Sequence, residues 1–293
     1  MRLFFVRCLM GFFSLLPLGL NRTIADVLSR ILFALNILER RTTERNLELC
    51  FPALTTIERK KIAQESMAQS ARWALETSSV WLRGEDWRQS RILKFHNRDL
   101  FDKAVSSDRG ILLLIPHFGN WEMAGMWSGD QAKTTAIYRM PKLEQLDPLV
   151  REARSASALS TLVPATSRGV MSVLKALNRG EQTIILPDQV PVSGSGVYSK
   201  FFGVPAYTLT LVHNLIKKTK PEVLFSYALR IPGGFELGFL EPPEDIYSED
   251  AQVSVDAMNK GIEDLCQLDI TQYQWEYKRF KNQADGRDFY KES

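Results

Sequence analysis

The stretch that most restricts this chain is Gly110-Ile111-Leu112-Leu113-Leu114-Ile115-Pro116-His117-Phe118-Gly119-Asn120-Trp121-Glu122. Five consecutive aliphatic residues, bounded by Asp108-Arg109-Gly110 and by Pro116, predict a strand buried on both faces. A strand of that kind belongs to a parallel sheet with helices on either side, whereas a half-exposed antiparallel strand alternates apolar and polar residues. Open sheets of this class bind ligands beyond the carboxyl ends of their strands. His117 falls just past such an end, and Glu122 lies in the first turn of a helix predicted to begin near Asn120. The spacing predicts that the Glu122 carboxylate accepts the Nδ1 proton of His117 and leaves Nε2 as a general base, with an ordinary imidazole pKa of ~6.5 that suits proton transfer near neutrality. A structural histidine beside a helix cap fits the same residues.

The remaining pattern supports a layered fold. Ile92 to Phe95, Gly110 to Ile115, Thr135 to Tyr138, Thr161 to Val163, Thr183 to Leu186 and Val223 to Leu229 read as strands. Helical patterns lie between them at Glu144 to Ala158, Gly169 to Asn178 and Leu209 to Lys218, and this alternation implies βαβ units. Phe235 to Leu240 is expected to add an edge hairpin, and Val253 to Leu268 a closing helix. Before Ile92 the texture is helical. Ile24, Val27, Leu28, Ile31, Leu32, Leu35 and Leu38 recur at helical spacing over Arg22 to Leu38, and Thr55-x-x-Glu58 is a capping-box signature for a helix running to about Trp81 and stopping at Gly84. The expected fold class is α/β, a mostly parallel central sheet flanked by helices, with a helical N-terminal extension. The expected divisions are a membrane-attaching segment at 1–20, a helical region at 21–90 and the α/β core at 91–293.

Several function classes drop out. With 293 residues and 45% of them hydrophobic, there is ample material for a large core. The net charge is only +3 and the basic residues are dispersed, which argues against a dedicated nucleic-acid binder. Cys8, Cys50 and Cys266 are odd in number and far apart, so a reducing compartment fits and a disulfide framework does not. Three histidines and no paired cysteines leave no metal-site spacing. A glycine-rich phosphate loop and a G-x-S-x-G elbow are missing, so an α/β hydrolase would need an unconventional nucleophile. Leu3 to Leu20 is the most apolar stretch, with Phe4, Phe5, Phe12 and Phe13, an interruption at Arg7 and a bend at Pro17. Its uninterrupted part falls short of the ~20 apolar residues of a full span, so a tilted span and an interfacial helix fit equally. Arg22, Arg30, Arg40 and Arg41 suit an anionic lipid surface or a solvated helix face.

Other strand ends bring polar groups toward the same edge: Tyr138-Arg139, Arg168-Gly169 and Asp188-Gln189 after Ile184-Ile185-Leu186-Pro187. Each alone reads as a solvated arginine, a helix start or a turn aspartate; together they read as an assembled site. Lys200 to Ala206 is expected to be a loop whose adjacent aromatics, Phe201 and Phe202, pack internally or line an acyl-chain groove.

His117-Phe118-Gly119-Asn120-Trp121-Glu122 resembles the H-x-x-x-x-(D/E) motif of glycerolipid acyltransferases, in the form found in the late lipid A acyltransferases. Asn46-Leu47-Glu48-Leu49-Cys50-Phe51-Pro52 is similar to that family's N-terminal signature. Tyr138-Arg139, Leu186-Pro187-Asp188-Gln189 and Phe201-Phe202-Gly203-Val204-Pro205-Ala206 resemble its central blocks, and Gln272-Tyr273-x-Trp275 with Lys278-Arg279-Phe280-Lys281 its C-terminal block. The order matches over nearly the whole chain. One departure is Ala53, where the family's first signature usually carries an acidic residue. The resemblance implies a cytoplasmic-face inner-membrane enzyme that moves an acyl chain from acyl carrier protein to a hydroxyl of a lipid A precursor. His117 is then the base and Glu122 its orienting partner, with Asn120, Arg139, Arg168, Asp188, Gln189, Phe202 and Gly203 on the substrate side. No metal and no cofactor are expected, and because Pro116, Phe118, Gly119, Asn120 and Trp121 around His117 supply no Ser or Cys, direct transfer without an acyl-enzyme is expected. Relatives acting on other glycolipids or aminolipids share the same short motifs, and an inactive lipid-binding protein would be the alternative of another class.

Overall fold

The computed structural model describes residues 2–140, 144, 147–157 and 159–291. Helices occupy the N-terminal region: Arg2–Leu15 (α1), Leu18–Ala34 (α2), Leu38–Cys50 (α3), Thr56–Leu82 (α4) and Gly84–Arg91 (α5). Pro17 separates α1 from α2, because it has no N–H to continue the first helix while its fixed φ suits the start of the second. This is why the amphipathic helix predicted from Arg22 begins four residues earlier. α4 opens on the predicted capping box: the Glu58 N–H donates to the Thr55 hydroxyl at 3.3 Å, and the Thr55 N–H donates to the Glu58 carboxylate at 2.8 Å.

From Ile92 the chain alternates. Ile92–His96 (β1), Arg98–Val105 (α6), Ile111–Leu114 (β2), Trp121–Gln131 (α7), Thr134–Tyr138 (β3), Asp147–Arg154 (α8), Ser160–Pro164 (β4), Ser167–Asn178 (α9) and Gln182–Ile185 (β5) follow in order. Then come Gly196–Phe201 (β6), Val204–Leu209 (β7), Leu211–Thr219 (α10), Glu222–Ile231 (β8), Gly234–Leu240 (β9) and Ala251–Cys266 (α11). Among the described residues, one sheet has the order β1-β9-β8-β2-β5-β3-β4, and β8–β9 is its antiparallel pair. The mostly parallel sheet flanked by helices is therefore as expected.

Side-chain alternation explains why β2 is apolar at every position. Leu112 and Leu114 pack into one core layer with Val212, Val255 and Ile262, while Ile111, Leu113 and Ile115 pack into the other with Met123, Trp127 and Phe239. Each such burial contributes about 1.5–3 kcal/mol before the cost of ordering the chain is counted. Three details differ from expectation. β9 does form a hairpin with β8 but is not an edge, since β1 pairs on its outer side. The segment expected as a loop at Lys200 to Ala206 is the end of β6, a two-residue turn and the start of β7 in a separate hairpin, with Phe202 and Gly203 at φ of 47° and 79°. A two-residue turn with both φ positive matches the twist of a hairpin, but Phe at its first position gives no turn signal in the sequence. The helix expected over 144–158 is observed as α8, and residues 145, 146 and 158 lie outside the described residues.

Candidate active site

β2 and β5 are neighbouring parallel strands in which Leu114 is registered on Ile185. The same offset of 71 residues carries past their carboxyl ends to His117 and Asp188. There the Asp188 carboxylate accepts twice from His117, from the backbone N–H at 2.8 Å and from Nδ1 at 2.8 Å. Burial pushes the Asp188 carboxyl up, but the His117 charge, the two His117 hydrogen bonds and Arg279 outweigh it and hold the group below its ordinary value. A charged acceptor at Nδ1 fixes the tautomer, so Nε2 is the free basic atom. The exposed Gln189 side-chain nitrogen lies 3.1 Å from Nε2, where its N–H can donate to the lone pair.

The turn that carries His117 is tied down on all sides. The Gln274 N–H donates to the His117 carbonyl at 2.9 Å, the Gly119 N–H to the Gln272 carbonyl at 2.9 Å, and the Asn120 N–H to the Ala228 carbonyl at 2.7 Å. Gly119 has φ +60° and lies against the Ala228 carbonyl where a Cβ would sit, so any side chain there both strains the backbone and collides with β8. Beneath the turn is Glu76 of α4, fully buried. It accepts from Arg22 and Arg230 at 2.7 Å each and from the Asn120 amide at 2.9 Å, while Arg230 also donates to the Gly119 carbonyl at 3.2 Å. Removing either partner of the Glu76–Arg230 pair would strand a buried charge, at a cost of about 3–5 kcal/mol.

Glu122 is not the partner of His117. It lies in the first turn of α7, 5% exposed, accepting from the Trp81 indole at 3.0 Å and forming a short ion pair with Arg154 of α8. The physical reason is competition. A guanidinium and an indole N–H satisfy Glu122 on the α4 and α8 side, while Asp188 reaches His117 first from the adjacent strand. Burial works against the Arg154 charge, and the Glu122 carboxylate more than restores it. Glu122 and Arg154 also border an apolar cavity lined by Ile115, Trp121, Met126, Ile137, Leu162 and Leu186. The Trp121 ring, 4.9 Å from the His117 imidazole centroid to centroid, forms the wall between cavity and histidine.

The model of the family described as bacterial lipid A biosynthesis acyltransferase matches residues 2–282. The chain belongs to that family. Among its relatives, the lipid A biosynthesis lauroyltransferase of Escherichia coli (strain K12) is 28% identical over 265 residues, covering 86% of this chain and 83% of that protein. A lipid A biosynthesis acyltransferase of Haemophilus influenzae is 28% identical over 279 residues, covering 93% and 88%. The lipid A biosynthesis palmitoleoyltransferase of E. coli is 26% identical over 248 residues, covering 83% and 78%. A solved structure, the 1-acyl-sn-glycerophosphate acyltransferase PlsC of Thermotoga maritima, aligns with a TM-score of 0.38 at 12% identity over 85% of this chain and 98% of that one.

For a lipid A acyltransferase, the other residues expected at the site divide sharply. Asp188 and Gln189 meet His117 directly. Asn120 is fully buried and caps α7, accepting from the Met123 N–H at 3.0 Å while its amide donates to Glu76, so both ends of its side chain are used internally. Phe202 and Gly203 form the β6–β7 turn; Phe202 packs on Phe51, Phe201 and Trp275, and its N–H donates to Glu263 at 2.5 Å. Phe202 is thus half-buried in the packing around the hairpin, and Gly203 is exposed at its tip. Arg139 is exposed just after β3, and Arg168 is exposed in the first turn of α9, which follows β4, both on the His117 edge. In the strand order β2-β5-β3-β4, Arg168 stands three strands from His117, about 14 Å at the usual spacing between strands.

Arg154, Trp81, Glu76 and Arg230 were not singled out by the sequence. For Glu76 a signal existed. It is the one acid in the run Trp73 to Leu82, amid residues otherwise apolar or small and polar, which is where a buried charge needs a partner. Arg154 sits in the basic α8 segment beside Arg151, and nothing in the sequence separates the two. The buried Cys50 and Cys266 thiols are pushed well up by burial, which keeps them from acting as thiolates, and Cys8 is exposed on α1.

Proposed function

We propose that this lipid A acyltransferase family member transfers a fatty acyl chain from acyl carrier protein to a hydroxyl of a lipid A precursor, with His117 and Asp188 as the dyad. The observation that carries the reading is His117, held at Nδ1 by a buried carboxylate and met at Nε2 only by the exposed Gln189 amide, one tryptophan away from an apolar cavity. The acceptor hydroxyl displaces the Gln189 amide and gives its proton to Nε2. Its oxygen attacks the thioester carbonyl, the carbon–sulfur bond breaks, and the imidazolium returns the proton to the departing thiolate. Asp188 stabilises the imidazolium between those two steps, as the aspartate of a hydrolase triad does. The acyl tail occupies the apolar cavity, with the Glu122–Arg154 pair at its border. In this reading no acyl-enzyme forms, since no Ser or Cys flanks His117 in the chain and burial pushes the Cys50 and Cys266 thiols up.

Attachment to the cytoplasmic face of the inner membrane is part of the same proposal. α1 and α2 turn Phe4, Phe5, Phe12, Leu15, Val27 and Ile31 outward, with Leu35 exposed at the C-cap of α2, an apolar surface suited to lying in a lipid interface. No helix among the described residues is long and apolar enough to cross a membrane. The test is incubation of the purified chain with radiolabelled acyl-carrier-protein thioester and a lipid A precursor. The expected product is labelled lipid. Free fatty acid alone would indicate a hydrolase, absence of turnover a binding protein, and transfer only to another glycolipid a different acceptor. Mass spectra of lipid A from cells with and without the protein identify the chain added.

A further inference from the structure

Among the described residues one side chain meets Nε2 of His117, the Gln189 amide at 3.1 Å. Which end of that amide faces the imidazole follows from the far side of the ring. Nδ1 donates to the buried Asp188 carboxylate at 2.8 Å, so in the neutral imidazole Nε2 carries a lone pair and accepts. The amide therefore presents its NH2 end to the reacting atom, and its carbonyl oxygen is turned away. The backbone beneath it is held on both sides. Asp188 takes the His117 N–H at 2.8 Å, and the Val190 N–H donates to the Tyr277 hydroxyl at 3.0 Å. Between these fixed points the Gln189 side chain is exposed and makes no other hydrogen bond among the described residues.

Acyl transfer needs a hydrogen-bond donor at this point. Attack on the thioester carbonyl places a negative charge on its oxygen, and donors held ready for that charge supply much of the rate in such reactions. The attacking oxygen sits on Nε2, and the carbonyl oxygen lies one bond beyond the carbon under attack, so a side chain that reaches Nε2 reaches it by rotation. Other donors nearby are engaged elsewhere. The Asn120 amide and Arg230 hold Glu76 beneath the turn, Arg154 pairs with Glu122 at the cavity behind Trp121, and Arg279 bonds the Tyr207 carbonyl and the Thr208 hydroxyl. The acceptor hydroxyl that occupies Nε2 frees the Gln189 amide. Once the hydroxyl proton is on Nε2 the imidazolium has only donors, so the amide cannot return to it and its N–H turns to the oxygen whose charge is growing.

We propose that Gln189 is a catalytic residue, the donor that stabilises the oxyanion formed on the thioester carbonyl. The inference rests on the acyl-transfer reading above and adds the group that meets the second charge of the reaction. As the acceptor oxygen bonds the carbonyl carbon, the C=O electron pair moves onto oxygen, where the Gln189 N–H hydrogen-bonds it. When the pair returns, the carbon–sulfur bond breaks and the thiolate takes the proton from Nε2. The test is steady-state kinetics on the full chain carrying Gln189→Ala or Gln189→Glu, varying lipid A precursor and acyl-carrier-protein thioester separately. Gln189→Ala is expected to lower kcat about 100- to 1,000-fold with both KM values within about twofold of wild type, the signature of a contact made in the transition state. Gln189→Glu keeps the length but lacks the N–H, and its loss should be at least as large. The kcat–pH profile separates this role from merely holding His117. In the loaded enzyme the amide is off Nε2, so the acid limb, which reports the base, should stay at the wild-type pH in Gln189→Ala. The side chain is exposed, so both variants should melt as the wild type does; should one unfold, the other carries the measurement. A shifted acid limb, a raised acceptor KM with kcat kept, or a fall in kcat of less than about tenfold overturns the assignment while the acyl-transfer reading stands. No transfer by the wild-type chain to the precursor overturns both.

Discussion

Asp188 and Glu122 border the same turn, yet one carboxylate holds the imidazole and the other holds an arginine. Along the chain Glu122 is five residues from His117 and Asp188 is 71 away. In the fold the distant one wins, because β2 and β5 are parallel neighbours in a register that continues through both carboxyl ends. Nearness across a parallel sheet is set by strand order and register, and it outranks nearness along an irregular turn. The consequence is a division of labour in which Asp188 acts on the base and Glu122 on the border of the cavity.

The largest expected effect is from His117→Ala, which removes the base itself and should lower kcat/KM by about 100- to 10,000-fold with the melting temperature little changed. Near-normal turnover in that folded variant would end the mechanism and the comparison with it. Asp188→Asn comes next, since it keeps the shape but loses the charge that fixes the tautomer and stabilises the imidazolium, and a loss on the order of 100-fold or more is expected. It carries a second readout. The Asp188 carboxyl is held below its ordinary value in the folded chain, so its stabilisation is present above that ordinary value and is lost as pH falls toward the depressed one. The wild-type melting temperature should fall as pH drops below about 5, and the asparagine variant should show a shallower fall over that window.

Glu122→Gln should cost less, about 10- to 100-fold, and should be matched by Arg154→Lys, which keeps charge but breaks the fork on the carboxylate. The pair is partly open to water through Arg154, so its loss should destabilise the fold by only about 1–2 kcal/mol. A Glu122→Gln variant as inactive as Asp188→Asn, with a normal melt, would mean that Glu122 acts on the reacting atoms directly, against the division drawn here.

Much of this arrangement is legible in the sequence, and the parts that are not share a cause. The aliphatic run of β2, the capping box of α4 and the βαβ alternation are local patterns, and local patterns survive into the fold. His117, Asp188 and Gln189 were recognisable as groups at strand ends. Their pairing was not, because the sequence gives each strand without its neighbours. Arg154 and Arg230 become meaningful only beside Glu122 and Glu76, to which long-range packing brings them. Asn120 and Phe202 show the opposite: both stand within site-like motifs, and the structure gives each a local backbone task that the motifs did not announce, one as a helix cap and one in a hairpin turn.

The smallest expected effects come from the two exposed arginines, and they extend the comparison along the sheet. If position in the strand order governs a residue's influence on His117, Arg139 after β3 should matter more than Arg168 after β4, although both are cations at the same edge. β3 is two strands from β2, about 10 Å, a reach that an arginine side chain spans, while β4 is about 14 Å away. Guanidinium forks bind phosphate bidentately and ammonium groups do not, so Arg→Lys isolates that contact from simple charge. Arg139→Lys is therefore expected to raise the acceptor KM a few-fold with kcat nearly constant, and Arg168→Lys to change it by less than twofold. A larger effect at Arg168 would mean that the acceptor lies along the whole edge of the sheet, with its anionic end over β4, and distance from His117 would then cease to be the guide to which side chains bind it.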